Sequence, residues 1–144
     1  MKSFVLLIAL LGAITLTSSS APTVTNAANA ANKERAVTTF NRPVKLMDIT
    51  LQGTYLFVHD DAAMARGEGC TSVYKGEAEN PNNLVVSFHC TPATRARADY
   101  FTVRTVPTLN GEFELKEFQF SGSTETHLVP TGQHEAHVVI APLN

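Results

Sequence analysis

Tryptophan is absent from the 144 residues, and only two cysteines occur, Cys70 and Cys90. No basic run or patch is present, so there is little to displace counterions from phosphates, and nucleic acid is not an expected partner. An acidic tail and a polybasic membrane-binding run are missing too. No segment carries a long amphipathic helical period, which argues against a helical bundle. The nucleophile elbow G-x-S-x-G does not occur, and neither does the alternating acidic pattern of a calcium loop. No cysteine lies near residue 20, which excludes lipid attachment at an N-terminal cysteine.

The longest apolar run is short and stands at the beginning. Met1-Lys2-Ser3 is followed by Phe4 to Leu16, nearly all apolar, and then by small polar residues through Ala21. That is the layout of a signal peptide, and the run is too short to span about 30 Å of hydrocarbon. Cleavage is expected between 19 and 30, with Ala28-Asn29-Ala30 as the favoured site. Removal of Lys2 takes the formal charge from −2 to −3. The chain then divides into a signal peptide and cleavage region at 1–30, a flexible leader at 31–35, one β domain at 36–140 and a tail at 141–144. The mature chain is expected to be secreted or periplasmic, without a transmembrane span.

Within the domain, β-branched and aromatic residues gather into short segments parted by turn formers. Val37 to Phe40 and Tyr55 to Val58 read as strands, and Pro43 marks an edge, bulge or break. Residues 59–69 read as a polar loop. Cys70 to Lys75 and Leu84 to Cys90 read as a hairpin around Asn80. Thr91 to Asp99 reads as a crossing with one helical turn. Tyr100 to Val106 and Glu112 to Phe120 flank Asn110-Gly111, a hairpin signal. Phe113 and Leu115 share a parity that Phe118 and Phe120 do not, which predicts a β-bulge near Lys116-Glu117. His137 to Ile140 is a candidate last strand. The fold class expected is all-β, a small antiparallel sandwich or barrel of about seven strands.

Two phrases, Thr39-Phe40-Asn41-Arg42-Pro43-Val44 and Leu51-Gln52-Gly53-Thr54-Tyr55-Leu56-Phe57, resemble a pattern of small exported bacterial β-sandwich proteins, T-F-N-x-P-V followed by L-x-x-G-T-Y-x-F. The ending Phe118 to Val129-Pro130 is similar to that family's last strands. The middle of the chain, with both cysteines and Phe88-His89-Cys90, departs from the pattern. The resemblance implies a β-sandwich and export, and no activity. Gly53-Thr54 is expected to make a tight turn, with Tyr55 and Phe57 on one face.

Two cysteines in an exported chain invite a disulfide. A hairpin centred near Asn80 sets Cys70 opposite Cys90, and a bridge there would contribute about 3 kcal/mol on the chain-entropy model. The even positions Val86, Phe88 and Cys90 form the inward face, and His89 points outward.

Other constellations are weaker. His59, Met64, Cys70, His89 and Cys90 include ligands that copper and zinc accept, with His59 and His89 as the histidine candidates. No His or Met follows Cys90 closely, so a cupredoxin loop is excluded. His134 and His137, the acidic set Asp60, Asp61 and Glu68, and the anion clasp Arg95 and Arg97, close to Arg104, each have a plain solvated-surface reading, and the Ser121-Gly122-Ser123 segment followed by His127 reads as a strand end. The leading expectation is a non-enzymatic exported module that binds a protein or envelope partner, stabilised by one disulfide, with no cofactor. The alternative is an envelope metal-binding or redox protein using His59, His89 and the cysteines.

Overall fold

A computed structural model describes residues 32–131. The described residues are almost all β: eight strands form one mixed, curled sheet that makes a half-barrel. The strands are β1 (Lys33–Leu46), β2 (Ile49–Asp60), β3 (Thr71–Lys75), β4 (Leu84–Phe88), β5 (Thr91–Thr94), β6 (Thr102–Pro107), β7 (Phe113–Gln119) and β8 (Glu125–Leu128). One helical turn, α1 (Asp61–Ala65), follows β2, and a 3-10 turn (Pro81–Asn83) precedes β4. Hydrogen-bonded neighbours run β4-β3-β2-β1-β7-β8-β5, and β6 pairs with the other edge of β7.

All pairings are antiparallel except one. Val44 and Lys45 of β1 run parallel to Phe113 and Glu114 of β7. Further along β7, residues 117–119 pair with β8. This short parallel contact joins the two halves of the sheet, so the sheet is mixed where an antiparallel one was expected.

β1 begins at Lys33, inside the stretch expected as a leader. Alternation explains its length. Glu34, Ala36, Thr38 and Phe40 point inward, while Lys33, Arg35, Val37 and Thr39 are exposed. Lys33 and Arg35 both pair with Glu79. Between Phe40 and Val44 the register shifts at Asn41-Arg42-Pro43, because Pro43 has no N–H for the ladder. Gly53 lies opposite Phe40 at φ +94°, inside the continuous strand β2 and not in a turn ahead of it. Thr91 to Asp99 contains the edge strand β5 and no helix; Pro92 is tolerated there because edge strands leave N–H positions unused.

The bulge expected near Lys116-Glu117 is present. Arg104 pairs with Glu117 and Thr105 with Leu115, which leaves Lys116 as the extra residue. Leu115, Phe118 and Phe120 therefore all reach the core despite opposite parity. The core mixes aromatic and aliphatic side chains, and Phe57 lies 5.3 Å from Phe118 and 5.4 Å from Phe101 between ring centroids. The candidate strand His137 to Ile140 lies outside the described residues.

Candidate metal centre

Four side chains converge at one end of the half-barrel. His59 is the penultimate residue of β2 and pairs with Thr71. Cys70 immediately precedes β3. Cys90 sits in the two-residue link between β4 and β5, where neither strand's ladder constrains it. His127 belongs to β8, cross-strand from Phe118 on one side and Pro92 on the other.

Local chemistry sets these positions. The Asp60 carboxylate accepts hydrogen bonds from the amides of Ala62 and Ala63, capping α1 and turning the chain directly after His59. The Asp60 amide then donates to the Cys70 carbonyl at 2.8 Å, closing the loop. Gly69 lies against β4 so closely that a Cβ there would stand 2.4 Å from Ser87 Oγ and 2.9 Å from the Phe88 nitrogen. Only glycine permits that approach, and it carries Cys70 to Cys90.

The Sγ atoms of Cys70 and Cys90 are 3.3 Å apart, and Cys90 Sγ lies 3.4 Å from His127 Nδ1. Ligand atoms of His59, Cys90 and His127 all fall within 4.8 Å of one another. The His59 and His127 rings are 4.2 Å apart, and Phe118 stacks on His127 at 5.0 Å. His59, Cys70 and His127 are buried, and Cys90 is half-buried. His127 Nε2 is buried without a hydrogen-bond partner, and a Glu34 carboxylate oxygen lies 3.7 Å from it. Asp61 stands 3.7 Å from His59 Nδ1.

Charge and burial tune each group. Burial, followed by the nearby His59, lowers the pKa of His127 to about 4, so its imidazole is neutral at neutral pH. Burial also opposes charge on His59, but Cys70, Asp61 and Glu34 outweigh it and the pKa rises. The two thiols share a proton. A hydrogen bond from Cys90 pulls the Cys70 pKa down, while the same contact and burial push the Cys90 thiol up. Cys70 is thus the sulfur that gives up its proton more readily, beside His59, while Cys90 lies against the neutral His127.

The disulfide expected at Cys70 and Cys90 is not formed: both are free thiols, and their sulfurs are about 1.2 Å farther apart than a bond of about 2.05 Å. The hairpin register differs by one from the expected one. Thr71 pairs with Phe88 and Val73 with Val86, so the cysteines meet beyond the ladder rather than across it. His89, one of the two histidine candidates, is half-buried and outside the converging group, as its neighbour Cys90 occupies the inward direction. His127 takes that place, although the sequence points to it only as the residue after the Ser121-Gly122-Ser123 segment. Its one signal is a polar ring within Thr126-His127-Leu128-Val129, a stretch otherwise suited to a strand.

The remaining candidates are placed apart from this group. Asp60 caps α1, and Glu68 pairs with Arg66. Arg95 of the expected clasp instead engages Glu117 at 3.0 Å, which Arg104 also meets at 3.3 Å. Ser121 Oγ donates to the Asp99 carbonyl. Met64 is exposed. His134 and His137 lie outside the described residues. No described helix is long and apolar enough to cross a membrane. Comparisons with protein-family models, curated proteins and solved structures found no match for this chain.

Proposed function

We propose that the protein is a metal-binding β-domain that holds zinc or copper(I) through His59, Cys70, Cys90 and His127. The cluster of His59, Cys90 and His127, with Cys70 Sγ 3.3 Å from Cys90 Sγ, carries this reading. A tetrahedral zinc ion with bonds of about 2.3 Å to sulfur and about 2.05 Å to nitrogen needs ligands about 3.3–3.8 Å apart. The sulfur–sulfur and sulfur–nitrogen separations of 3.3 and 3.4 Å are within reach of that with small adjustments. Copper(I) accepts the same soft and imidazole donors. Glu34 and Asp61 supply carboxylates behind the two histidines, where they orient and polarise ligand rings. Phe118 stacks on His127 and Phe120 meets it edge-on, giving that imidazole an apolar surround. An exported setting is supported by the apolar run Phe4 to Leu16.

The test is stoichiometric metal binding by the reduced protein, read by elemental analysis and by competition with a chromophoric chelator for zinc and for copper(I). One equivalent is expected. Cys90→Ala and His127→Ala should lose it, and His89→Ala should keep it. A reduced protein that takes up neither metal would sink the reading. It would return the argument to a non-enzymatic exported binding module.

A further inference from the structure

We infer that Cys70 and Cys90 form a reversible dithiol–disulfide couple whose oxidation dismantles the metal centre and whose reduction rebuilds it. This rests on the metal reading above and adds its control.

The geometry that suits a metal also suits bond formation between the sulfurs. They need to approach by about 1.2 Å, from 3.3 Å to a bond of about 2.05 Å. Neither cysteine is held within a ladder. Cys70 follows the glycine that ends the α1–β3 loop, and Cys90 lies in the link where the chain leaves β4 for β5. Side-chain rotation with a small shift of these two links therefore suffices, and the pairs Thr71–Phe88 and Val73–Val86 can stay in place.

Exposure assigns the order. Cys90 is half-buried, whereas Cys70 is 1 % exposed. A low-molecular-weight disulfide, RSSR, reaches Cys90 first. When the proton between the two sulfurs passes to Cys70, the Cys90 thiolate attacks one sulfur of RSSR, the S–S bond breaks, and the first RS⁻ leaves and takes that proton from Cys70. Cys70, already beside Cys90, then attacks the Cys90 sulfur of the mixed disulfide and displaces the second RS⁻. Two electrons pass from the protein to the donor, which becomes two thiols. Disulfide sulfurs are poor metal ligands, since thiolates are the ones that coordinate. His59 and His127 alone remain, and two imidazoles are half of a structural zinc site.

The experiment uses the purified protein, zinc and oxidised glutathione. The reduced protein should bind one zinc. Oxidised glutathione should convert the metal-free protein to a species lighter by two hydrogens with no titratable thiol. Zinc affinity should fall by more than about 100-fold, and dithiothreitol should restore it. Cys70→Ser should stop at the mixed disulfide on Cys90, detected by mass. A protein that binds zinc but keeps both thiols free at a large excess of oxidised glutathione overturns the couple. So does a bridged protein that holds zinc with unchanged affinity, or a Cys70→Ser variant that forms no adduct. A reduced protein that binds no zinc overturns the metal reading instead, and the control of the centre goes with it. The thiol titration made without metal keeps that failure distinct from a failure of bridge formation.

Discussion

Gly69 is the residue on which the centre's geometry turns, and it ligates nothing. Gly69→Ala must push Cβ against the Ser87 hydroxyl and the Phe88 amide, and the amide is backbone that cannot swing aside. A loss of about 1–3 kcal/mol is expected in urea unfolding of the metal-free protein, the usual range for overpacking. Metal affinity should fall as well, since the same shift carries Cys70 from Cys90. Glu117 makes a separate residue-scale prediction. The hydrogen bond from Arg95, opposed by burial and aided by Arg104, holds its carboxyl below the usual value of 4.5. A depressed carboxylate stabilises the fold above its unfolded pKa, and that contribution disappears as pH falls through the folded value. The stability gap between wild type and Glu117→Gln should therefore be widest near neutrality and close in acid below about pH 4.5. A gap that stays constant through that range would remove Glu117 from the acid response.

At the scale of elements, one inserted residue makes β7 usable. Lys116 bulges out, its carbonyl accepts from the Val129 amide, and the parity of everything after it is reversed. Deleting Lys116 would send Phe118 and Phe120 to the wrong face, so the deletion variant should not fold. Lys116→Ala keeps the count and should cost no more than about 0.5 kcal/mol by thermal denaturation, because only an exposed pair with Glu114 is lost. This bulge was legible in the sequence because alternation is local and a phase slip within nine residues is visible. The hairpin at Asn110-Gly111 was legible for the same reason: Gly111 takes φ +77° there, as such turns require. What was not legible depended on distant partners. β1 extends back to Lys33 because Glu79 waits across the sheet for Lys33 and Arg35. His127 enters the centre because β5 and β7 flank β8, a pairing that no spacing between His59, Cys70, Cys90 and His127 encodes. Both cysteines were visible as a pair, but a one-residue difference in register separates a cross-strand bridge from two thiols meeting beyond a ladder.

For the whole molecule, stability and metal should be coupled. The centre draws on β2, β8 and the segments flanking β3 and β4, so a bound ion ties together parts of the sheet that the ladder joins only through β1 and β7. Zinc at a free concentration 100 times its dissociation constant should raise unfolding stability by about 2.7 kcal/mol. Cys90→Ala should show no such rise. Phe57→Ala, at the meeting point of Phe40, Phe101 and Phe118, should cost about 3–5 kcal/mol in the metal-free protein.

The parallel contact of β1 with β7 has a consequence in time. The β1–β2 hairpin and its β3–β4 extension form between near neighbours in sequence, but Val44 waits for Phe113 before the two halves of the sheet are joined. Closing so long a loop is slow, because its entropic cost falls due before the contacts that repay it. His59 lies in β2, near the start of the described chain, and His127 in β8, near its end, so the two imidazoles meet only across that long closure. Among the described residues the centre is complete only when β8 has joined β7, so an ion bound there would report that this strand is in place.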